Sequence, residues 1–515
     1  MSQSFYITTP IYYVNDVPHI GHSYTTLACD VLARYKRARG FEVFFLTGTD
    51  EHGQKVEKAA LTQGETPLQL ADRVMMRFQN LWEKLGITND DFIRTSQERH
   101  KQGVQALFKL LLDKGDIYLG EYEDWYCTPC ETFWTETQLI NGCCPDCGRP
   151  TEKLKEESYF FRMSRYQEPL LRHIEAHPEF IQPTSRRNEI LSFIKEGLRD
   201  LSISRTSFSW GIPVPGNEKH VIYVWFDALS NYITALGYPH DPQGLYGKFW
   251  PVDVHVIGKD ILRFHSIYWP TFLLAAGIPL PKKVFAHGWW TVEGKKMSKS
   301  LRNVVEPNML IDKYGVDAIR YFLLREVPFG LDGDFSHTGL VHRINSDLAN
   351  DLGNLVSRSS AMVNKYFGGT LPAPAADGDG DETFRRAFAE AVPRIDQHLN
   401  DLSFNKALQT LWELVSKANK YIDETQPWTL AKQEEQRERL ATVLYNLMES
   451  IRLIALLAAP FLPDTGRRML TIIGQNPEDV TLQGKDGWGG LRPGITIEKA
   501  APLFPRIEEE AIPAK

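Results

Sequence analysis

The chain has little that a membrane could hold or a secretory pathway could read. Its opening residues, MSQSFYITTPIYYV, carry no basic stretch and no continuous apolar segment, so no signal peptide is expected. The Arg-rich amphipathic pattern of a transit peptide is missing too. The longest apolar run, Leu453 to Leu462, falls short of the ~20 residues a bilayer demands. There is no internal repeat and no heptad run, and nothing in the composition signals disorder. An excess of basic charge is lacking: the net charge is −7, which excludes a general attraction to nucleic acid and leaves any RNA contact to a local basic strip. Cysteine is scarce, at six, and five of the six lie in one short stretch. Such clustering without a secretory signal favours a metal over disulfides. Cys29 stands apart in an amphipathic segment and reads as a small buried hydrophobe. These absences together predict a soluble cytoplasmic protein with no membrane partner.

With 515 residues and 43% hydrophobic content, the chain can bury large cores and should divide into about three domains. Its first hundred residues alternate between strand and helix signals. Phe5 to Thr9 reads as a buried strand, a helix runs from near His19 to a cap at Gly40, and Glu42 to Thr47 is a second strand. That strand leads into the loop Gly48-Thr49-Asp50-Glu51-His52-Gly53. Two helices, a strand at Asp91 to Thr95 and another helix follow. This alternation predicts an α/β fold with a doubly wound, Rossmann-like parallel sheet, on which ligands bind beyond the carboxyl ends of the strands. The expected boundaries are residues 1–115 for the first half of the sheet domain and 116–195 for an insertion holding the cysteines (about 125–150). The second half is expected at 196–290, with strands at Val221 to Asp227 and Val252 to Ile257. A linking stem at 291–345 precedes a helical bundle at 346–515, with a loop at Leu371 to Asp381 and a less regular tail after Pro463.

Two short runs carry nucleotide chemistry. Pro18-His19-Ile20-Gly21-His22 sets two imidazoles where a strand ends and a helix begins. A helix N-terminus already presents unpaired N–H groups and partial positive charge, so phosphate is favoured there. His19 and His22 add donors for oxygens that gain charge as an α-phosphorus is attacked, and Gly21 lets a flat base lie against the backbone. Lys296-Met297-Ser298-Lys299-Ser300 lies in a loop opened by Gly294. Lys296 and Lys299, three residues apart, make a double clamp suited to a polyphosphate, and the loop can close over it after binding. Taken singly, a histidine pair is more often one core and one surface residue, and a lysine pair a solvated turn. The two runs together reverse those odds.

The cysteines form Cys127-x-x-Cys130 and Cys144-x-x-Cys147. Each pair can make a tight knuckle, and four thiolates complete a closed tetrahedral site, structural because it has no open position. Zinc is the default for such a site, with iron the rival, and Cys143 is a fifth thiol able to substitute or compete. A redox pair is the alternative, and two pairs flanking Pro145 and Gly148 disfavour it.

The His-pair run and the complete lysine run resemble the signature of class I aminoacyl-tRNA synthetases. The runs PIYYVN, WFDALSNY and GKDILRFHSIYWP closely resemble the methionyl enzymes, and the resemblance covers residue 4 to about 470. It implies a two-step ligase: methionine and Mg-ATP give methionyl-adenylate and pyrophosphate, and a ribose hydroxyl of the terminal adenosine of tRNA(Met) then takes methionine and releases AMP. His19, His22, Lys296 and Lys299 are the implied catalytic groups. Lys259 and Asp260 are implied to meet the adenylate's ribose and phosphate, and His287 to touch adenine through its backbone. The implied methionine pocket is Ile11, Tyr13, Trp225, Ala228, Leu229, Tyr232, Ile261, Phe264 and His265, with Trp269 in the same run. Asp50 is implied to take the ammonium, with Arg205 as its neighbour. An aromatic stripe of this kind is ordinarily just core; sulfur–aromatic contacts of about 0.3–1.5 kcal/mol would here favour a thioether over an alkane.

In the helical domain, Asn354 and Arg358 share a helix face and Trp428 follows Gln426-Pro427 at a helix end. The resemblance implies that they read the anticodon, by hydrogen bonds to base edges and by stacking. A solvated polar pair is the rival reading for Asn354 and Arg358. The chain lacks the long editing domain of isoleucyl, valyl and leucyl relatives. It also lacks the C-terminal dimerising and tRNA-binding domain of many methionyl enzymes, so a monomer is expected. The competing expectations are a cysteinyl or leucyl relative, a non-catalytic tRNA-binding paralogue, and a small-molecule nucleotidyltransferase.

Overall fold

The computed structural model describes residues 3–508 apart from 16, 131, 135, 242, 293 and 297–304. Its contacts divide the chain into two compact units. One comprises Ser4–Cys29 and Val43–Trp289; the other comprises Met1–Gln3, Asp30–Glu42 and Trp290–Lys515.

The first unit is built on a seven-stranded sheet. Its strands are β1 (Ser4–Thr8), β2 (Tyr12–Tyr13), β3 (Glu42–Asp50), β4 (Asp91–Arg94), β5 (Ile181–Gln182), β6 (Val254–Gly258) and β7 (Val284–His287). The order is β2-β3-β1-β6-β7-β5, with β4 also on β3. The pairings β1–β6, β6–β7, β7–β5, β2–β3 and β3–β4 are all parallel. In β1 the residues Phe5 to Thr8 are all buried, as expected for a strand covered on both faces. The topological switch lies at β1, between β3 and β6, where parallel sheets place their ligands. Helix α1 (Ile20–Ala38) follows β2, α2 (Glu98–Asp113) follows β4, and α3 (Val224–Thr234) precedes β6. Cys29 is fully buried in α1.

The structure departs from two sequence expectations here. The strand foreseen at Val221 to Asp227 ends at Ile222, in a small antiparallel sheet, and Val224 to Thr234 is helical. Every residue of α3 is buried. The run Val221 to Phe226 is wholly β-branched or aromatic and so reads as a strand, although Asp227, Ser230, Asn231 and Thr234 recur at helical spacing. β3 also continues through Gly48 and Thr49 to Asp50. Gly48 lets β4 approach closely, since a Cβ there would meet the Ile93 carbonyl oxygen at 2.0 Å.

The insertion is a four-stranded antiparallel sheet in the order Thr132–Trp134, Ile117–Cys127, Glu152–Phe161, Leu201–Ser202. Its long central pair runs in register from Ile117↔Phe161 to Tyr126↔Glu152.

The second unit is chiefly helical: α4 (Asn354–Phe367), α5 (Asp381–Asn400), α6 (Phe404–Thr425), α7 (Arg437–Ala458) and α8 (Pro463–Ile472). The tail expected after Pro463 therefore begins as a helix. The segment Glu434–Ala458 is long and apolar enough to cross a membrane, yet its apolar window is 100% buried within the protein. It is the central helix of a core. At the edge of that core Asp30 and Arg320 are both fully buried and lie 2.7 Å apart. Arg320 also donates to the Phe461 and Pro460 carbonyls, and Arg34 donates to Asp30 at 2.8 Å. Removing the acid strands a buried guanidinium, a change that costs about 3–5 kcal/mol. Asp30→Ala is therefore expected to lower the calorimetric midpoint of this unit's transition markedly; a midpoint within a degree or so of the parent would show that the ion pair contributes little.

Candidate functional site

The start of α1 and the runs around Lys259 and His287 meet at the carboxyl ends of β6 and β7, where Gly258 pairs with His287. His287 donates from Nδ1 to the Gly288 carbonyl at 2.7 Å, so its Nε2 accepts from the Thr25 hydroxyl, also at 2.7 Å. Burial holds the His287 imidazole below its usual range, against the Gly288 bond and Asp260. Thr25 sits one turn beyond Gly21, so β7 and the start of α1 are tied together. Trp289 donates from Nε1 to Asp260 at 3.2 Å, and the Lys259 ammonium lies 4.3 Å from the centre of the Trp289 ring. Asp260 folds back so closely that a Cβ at position 258 would meet its Oδ1 at 2.5 Å and push the carboxylate aside.

His19 and His22 stack, with ring centres 3.8 Å apart and planes 22° apart. The His19 N–H donates to His22 Nδ1, and the Gly21 N–H donates to His19 Nδ1, both at 3.1 Å. With Nδ1 accepting, the proton of each neutral ring is on Nε2, and both rings are N–H donors. Burial, with His19 alongside, holds the half-buried His22 well below the ordinary imidazole range, so it is neutral near pH 7. Gly21 has a reason that the sequence did not disclose: a Cβ there would meet the His19 ring at 2.9 Å. Tyr12 supports the pair from below, with edge contact to His22 at 4.9 Å and a flat stack on Phe78 at 5.5 Å.

The residues proposed for an amino-acid pocket gather in the same unit. Trp225 and Phe264 stack face to face, with centres 3.6 Å apart, and His265 stands edge-on to Trp225 at 6.4 Å. Both Trp225 and Phe264 belong to the unit's main core, as do Leu229 and Tyr232, with Ile11, Tyr13 and Ile261 packed against it. Ala228 is buried beside them on α3. His265 donates from Nδ1 to the Ile261 carbonyl at 3.0 Å, which leaves Nε2 to accept from the Tyr232 hydroxyl at 2.7 Å. Burial pulls the His265 imidazole down to about 4, against the Ile261 bond and Asp260. β2 and β3 set Tyr13 opposite Asp50, and Asp50 is 3% exposed. Arg205 is buried, donates to the Ser202 hydroxyl at 2.9 Å and the Ser204 carbonyl at 2.7 Å, and lies 4.6 Å from the centre of the Tyr223 ring.

Sequence reasoning passed over three residues that the fold joins. Asp227 accepts from His52 Nδ1 and from His100 Nε2, each at 2.6 Å. Burial pushes the Asp227 carboxyl up, but the two imidazoles overcome this and hold it below the usual carboxylate range. Both His52 and Asp227 lie inside runs singled out from the sequence; nothing there linked them to His100.

In the insertion the sulfurs of Cys127, Cys130, Cys144 and Cys147 all lie within 4.8 Å of one another. Cys127 and Cys147 are 3.5 Å apart, and Cys144 and Cys130 are 3.9 Å apart. Four thiolates around an ion at ~2.3 Å stand about 3.8 Å apart, so the set fits one tetrahedral metal ion. Cys143 is not among the four; its backbone pairs with Ile140 instead.

In the second unit, Trp290–Val292 pairs with Lys295–Lys296 in a tight antiparallel hairpin. Gly294 turns it with φ +72°, its N–H donating to Asp334 at 2.8 Å. Lys296 is the last described residue before the gap; its side chain and all of Lys299 lie outside the described residues. Asn354 and Arg358 are both exposed on α4, and Arg358 reaches Asp423 on α6 at 2.9 Å. Trp428 is 39% exposed, on a short helical turn that follows the left-handed Gln426.

Known proteins match this arrangement along almost its whole length. The family described as tRNA synthetases class I (M) matches residues 5–153 and 148–360. That described as the anticodon binding domain of methionyl tRNA ligase matches 371–514. A methionine–tRNA ligase of Caldanaerobacter subterraneus subsp. tengcongensis is 56% identical over 510 residues, which is 99% of this chain and 80% of its own length. One from Bacillus subtilis is 52% identical over 522 residues, 99% of this chain and 79% of that one. The solved structure of Mycobacterium tuberculosis methionyl-tRNA synthetase in complex with methionyl-adenylate has a TM-score of 0.95 at 44% identity, covering 98% of this chain and 100% of that one.

The depressed imidazole of His265 has a consequence for stability. Its folded value of about 4 lies below the ordinary 6.5, so the unfolded chain takes up this proton first. The stabilisation is complete above pH 6.5 and is lost as pH falls from there toward 4, at up to about 1.4 kcal/mol per pH unit. His265→Asn, which keeps a donor for the Ile261 carbonyl, is expected to flatten the fall in urea midpoint between pH 7 and pH 5; an unaltered slope would count against a neutral, buried His265.

Proposed function

The chain belongs to the methionyl-tRNA synthetases of class I, and on that premise we propose how its residues divide the work. Its activity is methionine–tRNA ligation: methionine and ATP give methionyl-adenylate and pyrophosphate, and methionine then passes to the 3′-terminal adenosine of tRNA(Met) with release of AMP. Cysteinyl and leucyl specificities, and a binding-only role, fall away with this membership.

The reading of the site rests above all on the meeting of Thr25 with His287 and of Trp289 with Lys259 and Asp260. These contacts draw the His-pair helix start, the GKDI run and the HGWW run into one crevice beyond the strand ends. His19 and His22 donate from Nε2 to oxygens that gain charge at the α-phosphorus. Lys259 and Asp260 meet ribose and phosphate, and the backbone around His287 meets adenine. Lys296 and Lys299 hold the β- and γ-phosphates and offset charge as pyrophosphate leaves. Magnesium, bound with ATP, supplies further charge neutralisation. Asp50 takes the substrate ammonium beside Tyr13. Trp225, Phe264 and Ile261 close on the thioether, while Tyr232 and His265 fix the pocket floor by their mutual hydrogen bond. No covalent enzyme intermediate is needed, so catalysis is positioning plus electrostatic stabilisation.

Around this centre we assign the catalytic domain to residues 1–115 and 196–290, the stem to 291–345 and the anticodon-reading domain to 346–515; the insertion expected at 116–195 gives β5 (Ile181–Gln182) back to the catalytic sheet and takes Leu201–Ser202 into its own. Trp428 lies inside the matched anticodon-binding segment, whereas Asn354 and Arg358 precede it. Their shared exposure supports base-edge contact, with Arg358 held ready by Asp423. Zinc is the metal that best suits four thiolates, in a structural role with no open position. A cytoplasmic monomer completes the reading.

Two measurements check it. Lys299→Ala is expected to lower methionine-dependent ATP–pyrophosphate exchange by roughly 10²–10³-fold, equivalent to about 2.7–4 kcal/mol, with methionine affinity in equilibrium titration near the parent value. Unchanged exchange would refute the lysine's role. Elemental analysis of the purified chain is expected to find zinc in a one-to-one ratio and to find it depleted in Cys144→Ser. Iron in its place, or full zinc in that variant, would overturn the assignment.

A further inference from the structure

Helix α3 has two working faces. Trp225, Ala228, Leu229 and Tyr232 follow the i, i+3, i+4, i+7 spacing of one face, the pocket side. Asp227 and Thr234, also separated by seven residues, lie on another. That second face is tied down by residues from outside the helix. His100, in the first turn of α2, donates from Nε2 to Asp227 at 2.6 Å, which leaves its Nδ1 to accept from the Thr234 hydroxyl at 2.8 Å. One imidazole thus grips α3 at two points two turns apart. His52, two residues beyond Asp50, donates from Nδ1 to the other oxygen of Asp227 at 2.6 Å. His52, His100 and Asp227 are 2%, 0% and 1% exposed, so water offers no substitute for these bonds.

We propose that the His52–Asp227–His100 bridge is a positioning device for methionine, fixing the spacing between the carboxylate of Asp50 and the aromatic face carried by Trp225. The grip of His100 sets the rotation of α3 about its own axis, and with it the aim of the indole. The bond from His52 joins the end of β3 to that same carboxylate. The neighbouring residue, Glu51, is anchored independently: it accepts from Thr49 and Arg94, each at 2.7 Å. His52 is therefore the link that couples the ammonium site to α3. The hydrogen bonds of the three are separate from the one between Thr25 and His287, so a fault in the bridge is expected to be felt by methionine rather than by ATP. Misplacement of about 1 Å in such a pocket can cost on the order of 10²-fold.

The inference rests on the assignment of Asp50 and Trp225 to methionine, which Asp50→Asn tests separately: an unchanged KM for methionine there would sink that assignment whatever the bridge variants do. For the bridge, His52→Ala in the full chain is expected to raise the KM for methionine about tenfold or more in pyrophosphate exchange, with the KM for ATP altered by less than about threefold. His52→Asn, whose amide N–H can stand where Nδ1–H stood, is expected to restore the methionine KM to within about threefold of the parent. Equal rises in both KM values, a fall in kcat alone, or no rescue by Asn at a parental melting temperature would each overturn the proposal. Should His52→Ala fail to fold, Thr234→Val decides: a rise of about threefold or more in the methionine KM alone supports the bridge, and unchanged constants overturn it.

Discussion

The parallel pairing of β6 with β7, in register Gly258 to His287, is the constraint on which the first unit's site depends. Parallel strands deliver all their carboxyl ends to one edge of the sheet, and whatever follows each strand lands there. Here Lys259 and Asp260 follow one strand, Gly288 and Trp289 follow the next, and α1 begins after β2 on the same side. The hydrogen bonds of the sheet backbone thus perform the first act of recognition, before any side chain is chosen. Asp260 then turns back close over Gly258, where any side chain would have to displace its carboxylate.

A second layer of order comes from buried histidines whose protons are assigned by their neighbours. His287 and His265 each donate from Nδ1 to a carbonyl one or four residues away, and each accepts a hydroxyl proton at Nε2. His19 and His22 have the opposite pattern, Nδ1 accepting from backbone N–H groups. Burial keeps His22, His265 and His287 neutral by lowering their imidazoles. These three imidazoles therefore give the unit directional hydrogen bonds without adding buried charge.

Much of this was legible in the residues. Alternating strand and helix signals gave the parallel sheet, the cysteine spacing gave the knuckle, and the two nucleotide-type runs gave the chemistry. Errors arose where a local pattern had two solutions. Val221 to Asp227 reads as a strand because its first six residues are β-branched or aromatic, and Asp50 reads as a loop residue because Gly48 looks like a turn signal when it is a point of close strand approach. The segment Glu434–Ala458 is long and apolar enough to cross a membrane, though its longest unbroken apolar run is short, and packing makes it a core helix. The His52–Asp227–His100 bridge was out of reach for a different reason: each residue is ordinary in its own run, and only chain topology joins them.

Sequence alone pointed to the kind of chemistry, because the histidine, lysine and cysteine runs, ambiguous singly, have few common uses when they occur together. It also determined the number and nature of the layers, since hydrophobic periodicity is a local property. Only the tertiary structure decided the geometry: which nitrogen of His265 and His287 carries the proton, what a side chain at position 21 would meet, and which carboxylate joins His52 to His100. Those are properties of distance between groups remote in the chain, and distance is set by how the sheet and its helices pack, a sum over many weak contacts that no single run of residues records.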